Sequence, residues 1–219
     1  MPADRKGKVV RRYDRWSGFY DFVDSIPPMG AMEKRWRREA IRMLDVRPDS
    51  RVLDMGTGSG MILPWLAEPI AGGKVVGTDL SLKMLEVAKA RVERAGCAGK
   101  VELAEDDCET SKFPEASFDR AITTFTLTSV PEPEKAVSEL ARLLKPGGKG
   151  VVLDHGRPTS LLLRALFPYI AAVARLFGYT YLKRDIRGML ERTPCLKITG
   201  EKRFFGGMVY AIAFEKRSS

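Results

Sequence analysis

Between Arg51 and Leu153 the chain alternates short β-rich runs with longer amphipathic ones. RVLDM (51–55) is a nearly continuous apolar run, as a strand buried on both faces requires, and KVVGTD (74–79) repeats the pattern. Helices are expected from Ser59 to Ala67 and from Leu82 to Ala95, the second with Met84, Leu85, Ala88 and Val92 on one face. KVELAE (100–105) and FDRAITTF (118–125) predict two more strands. Glu132 to Leu144 predicts a helix closed by the KPGG turn, and Lys149 to Leu153 a fifth strand. Strands that alternate with helices in this way predict a parallel sheet with right-handed crossovers.

Outside this stretch the pattern changes. Residues 161–182 (LLLRALFPYIAAVARLFGYTYL) are apolar, aromatic and basic, and a short helical run follows from Arg184 to Leu190. In KITGEKRFFGGMVYAIAFEK (197–216), Gly206 and Gly207 separate two alternating runs, which predicts a hairpin adding two antiparallel strands. Ahead of the first strand lie two helix candidates. In the second, Trp36, Ala40, Met43 and Leu44 share a face while Lys34, Arg35, Arg37, Arg38 and Arg42 crowd the rest. The predicted organisation is a helical lid or substrate segment at 1–48 and one α/β domain at 49–219, with 156–193 as a helical insertion facing substrate or membrane.

With 219 residues, 44% hydrophobic and 30% charged, the chain can bury a core and is neither disordered nor fibrous. A net charge of +9 points to an anionic partner, nucleic acid or membrane. Its distribution narrows this: residues 1–51 carry 13 basic and 8 acidic groups, 52–154 carry 12 and 16, and 155–219 carry 12 and 4. Basic flanks around an acidic middle suggest that the ends meet something anionic while the middle does separate work. Cys97, Cys108 and Cys195 have neither CxxC spacing nor an even number, against a zinc site or a disulfide framework and in favour of a reducing cytoplasm. The charged N-terminus has no secretory h-region. Arg164, Pro168 and Arg175 interrupt the 161–182 stretch, so it is expected to lie on a membrane rather than cross it.

The candidate chemistry gathers at the predicted strand ends. VLDMGTGSG (52–60) runs from a strand through Asp54 into Gly56, Gly58 and Gly60, a turn that lets backbone approach a ligand and aims free N–H groups at it. The spacing is GxGxG, not the dinucleotide GxGxxG, and Asp54 would repel a pyrophosphate, so a ligand bearing an ammonium or sulfonium fits better. Asp79 ends the next strand, at the spacing from which a carboxylate accepts both ribose hydroxyls. Asp106 or Asp107, after the third strand, is placed to accept from an adenine amine.

In this order, VLDMGTGSG, VVGTDLSLKMLEVAKARV and FPEASFDRAITTFTLTSVPEPEKAVSELARLLKPGG resemble the successive motifs of class I S-adenosylmethionine-dependent methyltransferases, over about residues 50–154. The resemblance implies a single Rossmann-like α/β domain with a seven-stranded, mostly parallel sheet, a C-terminal antiparallel hairpin and N-terminal helices. It implies S-adenosylmethionine as cofactor and S-adenosylhomocysteine as product. Gly56, Thr57, Gly58 and Gly60 would border the methionine part, Asp54 its amino group through the loop, Asp79 the ribose, and Leu80 and Met84 the adenine faces. Asp107, with Asp106 and Cys108 in the same loop, would meet the adenine amine, and Thr124 and Phe125 would face the methyl group. YDRWSGFYDFV (13–23) is similar to the entry segment of small bacterial phosphatidylethanolamine N-methyltransferases, and the whole chain looks like the ubiquinone/menaquinone C-methyltransferases. VLDHGRP, RDI and FFGGMVY resemble a branch that includes thiol methyltransferases.

The first expectation is therefore methylation of a phospholipid amine by an enzyme peripheral on the inner membrane face, with a thiol or a quinol as the alternative. Methyl transfer is an in-line displacement that needs proximity and a dry site. Tyr20 at the expected lid would order the donor and face its cation, and Tyr13 or Trp16 would shield the entrance or pin helices. His155, the lone histidine, ends the fifth strand where it could take the acceptor's proton or merely hold a loop. Nucleic-acid methylation lacks a polar clamp in TTFTLTSVP, and hydride transfer has the wrong glycine spacing. A silent lipid- or partner-binding protein on the same fold is the reading from another class.

Overall fold

In a computed structural model, which describes residues 29–159 and 184–218 together with 7, 11, 163–165 and 167–169, the first element described along its length is helix α1 (Met29–Leu44). There follow β1 (Arg51–Met55), α2 (Leu63–Ala67), β2 (Lys74–Asp79), α3 (Leu82–Arg94), β3 (Val101–Glu105) and β4 (Phe118–Thr124). Then come α4 (Pro133–Leu143), β5 (Leu144–His155), α5 (Ile186–Glu191), β6 (Leu196–Phe204) and β7 (Val209–Lys216). The seven strands form one sheet in the order β3-β2-β1-β4-β5-β7-β6, in which β1 to β5 are parallel and β7 runs antiparallel to both of its neighbours; the hydrophobic pattern predicts the parallel strands and the closing hairpin. From β1 the chain winds first toward β3 and then, from β4, the other way. Wound sheets open a crevice above such a reversal, here at the C-terminal ends of β1 and β4.

Burial follows sheet position. Interior strands β1 and β7 are buried nearly throughout, whereas β6, at one edge, is buried only at Leu196 and otherwise half-buried or exposed. Successive residues of a strand feed opposite faces: Val151 and Leu153 join the core under α1, α2 and α3, while Val152 joins the core under α4 and α5. In α3 the Ser81 side chain caps the N-terminus by accepting from the Met84 amide, and Met84, Leu85, Ala88 and Val92 form the buried face. In α1, Trp36, Ala40 and Leu44 are buried and Met43 is half-buried. The hairpin turns through Phe205–Gly207, with Gly206 at φ 60° and Gly207 at φ 86°.

Two local expectations are corrected. The helix expected from Ser59 begins only at Leu63, because Gly60 sits at φ 72°, outside helical geometry, and Pro64 is suited to a first helical turn. The KPGG segment does not precede the fifth strand but lies inside it, where the register shifts between the Phe118–Leu144 and Arg120–Lys149 pairs. Tyr13, Trp16 and Tyr20 lie outside the described residues, as does most of 161–182. Among the described residues, no helix is long and apolar enough to cross a membrane.

Candidate active site

A cleft with about 1040 Å³ of open space lies at the C-terminal ends of β1, β2, β3 and β4. Gly56, Thr57, Gly58, Asp79, Leu80, Met84, Asp106, Asp107, Cys108, Thr124 and Phe125 line it, so the structure brings together most of the residues selected from the sequence. Asp54, Gly60 and His155 are not in the lining, and each has a structural reason.

Asp54 is fully buried beneath the glycine loop. Its Oδ2 accepts from the Thr57 hydroxyl at 2.6 Å, while Oδ1 is buried with no hydrogen-bond partner. Burial pushes its pKa up to about 7, against the lowering effects of Thr57 and the Arg37 charge, and nearby Asp79 adds to the rise. Gly60 is a packing glycine: a Cβ there would lie 2.8 Å from Ala88 Cβ on α3. Gly56, at φ 73°, has no room either, since a Cβ would meet Thr126 Cγ2 at 2.5 Å. Gly58, at φ 54°, faces open space, and only its backbone conformation calls for glycine.

The loop amides are used differently from expectation. Rather than pointing free at a ligand, the Gly58 N–H donates to Asp79 Oδ2 at 2.9 Å, Thr57 N–H to the Thr78 carbonyl at 2.7 Å, and Gly60 N–H to the Thr57 carbonyl at 3.0 Å. Asp79 Oδ1 accepts from the Ser81 N–H at 2.9 Å, so this carboxylate is aimed into the cleft by two backbone amides. Asp106 is closed into its own turn by the Ser111 hydroxyl at 2.6 Å and the Lys112 amide at 2.9 Å. Asp107 is half-buried and accepts from the Glu109 amide at 2.9 Å.

The segment after β4 forms the other wall. Phe125 adopts φ 58°, an uncommon backbone for a bulky residue, and its amide donates to the Leu153 carbonyl at 2.7 Å. Thr126 Oγ1 reaches back to the Gly56 carbonyl at 3.3 Å and joins this wall to the glycine loop. Asp154, fully buried, accepts from the Thr128 amide, the Thr128 hydroxyl and the His155 amide at 3.2, 2.6 and 2.7 Å. Arg184 adds donors to the carbonyls of Leu127 and Val130, each at 2.5 Å. His155 packs its ring 4.9 Å from that of Phe125, and burial lowers its pKa despite the Asp154 charge, which favours the neutral imidazole.

Sequence reasoning missed Arg37, which it assigned to a basic outer face. Its Nη1 donates to Thr124 Oγ1 at 2.6 Å, its guanidinium lies 5.0 Å from the Phe125 ring centroid, and its Nε and Nη2 grip Glu33 at 3.0 and 2.5 Å. Its neighbours are also engaged within the protein: Arg38 stacks over Trp65 and Arg42 pairs with Glu39. The one signal was Glu33 four residues before Arg37, the spacing of a helical ion pair.

A family described as "Methyltransferase domain" matches residues 53–152. The chain is 32% identical over 199 residues to the ubiquinone/menaquinone biosynthesis C-methyltransferase UbiE of Pseudomonas fluorescens (strain Pf0-1), covering 85% of this chain and 77% of that protein. It is 29% identical over 183 residues to the protein of the same description from Geotalea daltonii, covering 83% and 77%. Among solved structures it is similar to the YcgJ protein of Bacillus subtilis, with TM-score 0.70, 19% identity and coverage of 85% and 100%. A SAM-dependent methyltransferase from Aquifex aeolicus superposes with TM-score 0.64 at 20% identity over 82% and 89%.

Proposed function

The chain belongs to the class I S-adenosylmethionine-dependent methyltransferases, and on that premise we propose that it methylates a ring carbon of a reduced quinone precursor. The supporting observation is the likeness, over 85% of the chain, to relatives described as quinone-biosynthesis C-methyltransferases. The phospholipid amine, first choice from the sequence, has no such support, and the thiol has none either. Membrane attachment is not needed for this reading.

The cleft fits the donor. An acid-lined site with a buried, unpartnered carboxylate oxygen at Asp54 suits a cationic ligand, and Gly56 has no room for a side chain. Asp79 would hold the ribose hydroxyls, Leu80 and Met84 the adenine faces, Asp107 the adenine amine, and Asp54 would sense the ammonium through the loop. When bound, S-adenosylmethionine supplies an electrophilic methyl group on a sulfonium. Thr124 and Phe125 would press the acceptor toward that methyl, contributing by orientation and by exclusion of water. A ring carbon becomes nucleophilic when an adjacent hydroxyl is ionised, and the same carbon must lose its hydrogen after transfer. His155, neutral and against Phe125, is proposed to accept one of these protons. Tyr20, in the segment ahead of α1, is proposed to cover the donor.

The test is transfer of labelled methyl from S-adenosylmethionine to a quinol with an open ring position, phosphatidylethanolamine vesicles and alkyl thiols in parallel. Label in the quinol is expected. Label confined to lipid or thiol would keep the donor site and overturn the acceptor.

A further inference from the structure

The geometry points to Arg37 as the receptor for an oxyanion on the acceptor: its guanidinium holds the ionised hydroxyl next to the carbon that is methylated. This rests on the reaction proposed above and adds a residue from α1, outside the 53–152 match. Among the described residues lining the cleft, Arg37 is the one basic side chain. A guanidinium has five N–H donors. Glu33 takes the Nε and Nη2 edge and Thr124 one N–H of Nη1, which leaves two donors on a side chain only 12% exposed. Glu33 sets the direction, and the flat face against Phe125 removes the remaining freedom. The group cannot swing away without breaking contacts on three sides.

The charges around it make the assignment selective. They are Glu33 on the same helix, Asp54 at the end of β1, His155 at the end of β5, and the cleft's own acids Asp79, Asp106 and Asp107. Among the described residues lining the cleft only Arg37 carries positive charge, so an entering anion is drawn to its two remaining N–H donors even though Glu33 offsets part of that charge. That position lies against Thr124 and Phe125, the wall assigned to the methyl end, and away from the adenine loop. A cation there lowers the pKa of a bound hydroxyl, so the acceptor would be ionised at a pH where it is neutral in solution. It also disfavours a protonated amine at the same place.

The experiment uses the full chain saturated with S-adenosylhomocysteine and 4-nitrophenol as a probe, since its absorbance reports ionisation directly. In the unmodified protein the bound phenol should titrate at least one pH unit below its solution value. Arg37→Gln should remove that shift, and Arg37→Lys should keep part of it, with circular dichroism and S-adenosylhomocysteine affinity within about twofold of the parent. An equal shift in Arg37→Gln, or no binding of the phenol by the parent, overturns the assignment. A tenfold or larger loss of S-adenosylhomocysteine affinity in Arg37→Gln, without the same loss for a decarboxylated analogue, would assign the guanidinium to the donor's carboxylate and overturn it too. An Arg37-dependent shift in a protein that does not methylate quinols would uphold the oxyanion site while the quinol reading fails.

Discussion

The two walls of the cleft are built in different ways. The wall proposed to hold the donor comes from turns that directly follow β1, β2 and β3, and each turn is shaped within itself by short-range contacts, Asp54 with Thr57, Ser81 with Met84 and Asp106 with Ser111, while the Gly58–Asp79 bond joins the first turn to the second. The wall proposed to meet the acceptor, from Thr124 to Pro131, is held by residues far away in the chain: Arg37 from α1, Asp154 from the end of β5, and Arg184 from the segment just before α5. A site whose parts are neighbours in sequence can be matched by motif. One assembled from three distant segments can diverge piece by piece, which suits a wall that must follow the acceptor while the donor stays the same.

The sharpest break of this contrast is Gly56→Val. It combines a left-handed φ with a Cβ 2.5 Å from Thr126, and Thr126 is the link between the walls. Binding of S-adenosylhomocysteine by calorimetry should fall below detection, whereas Gly58→Ala, strained by roughly 1–2 kcal/mol but sterically free, should lose affinity only several-fold. Next in size is His155→Ala, on the acceptor side. Turnover should drop about 100-fold, the scale of a lost proton acceptor, with donor affinity within about twofold. Unchanged turnover would reduce His155 to packing against Phe125.

Asp79→Ala should weaken donor binding by roughly 10–100-fold, the value of hydrogen bonds to a charged group, and leave the acceptor KM unaffected. An equal effect on acceptor KM would mean that the walls are not separable. The smallest effect is a pH dependence at Asp54. Its pKa of about 7 lies above the ordinary 3.8, so the folded chain holds the extra proton between these values, and the Asp54 contribution to stability falls as pH rises from about 4 to 7. A cationic donor favours the ionised form. Donor affinity should therefore fall up to about tenfold from pH 8 to pH 6, with proton release on binding near pH 6.5 in calorimetry across buffers. Asp54→Asn should abolish the proton release.

Much of the donor wall was legible because its signals are local. Alternating apolar runs end at Asp54 and Asp79, glycines follow where the backbone must turn left-handed, and acids recur at successive strand ends. The same local reading erred where long-range contacts decide. It took Arg37 for a surface charge, because helical periodicity tells which residues share a face but not what that face meets. It placed free amides in the glycine loop, because only the folded pair of strands shows that Asp79 already takes the Gly58 N–H.

By itself, then, the sequence determined the seven-strand α/β plan, the order of its elements along the chain and which loop residues line the cleft at the ends of β1, β2 and β3, since periodicity, turn residues and strand-end acids act over a few residues. Tertiary structure decided that Asp54 is buried to a pKa near 7, that Asp154 and Arg184 hold the wall after β4, and that α1 delivers Arg37 to Thr124. Burial and the pairing of groups more than 80 positions apart, as for Arg37 and Thr124, arise only when the sheet closes and the helices pack on it.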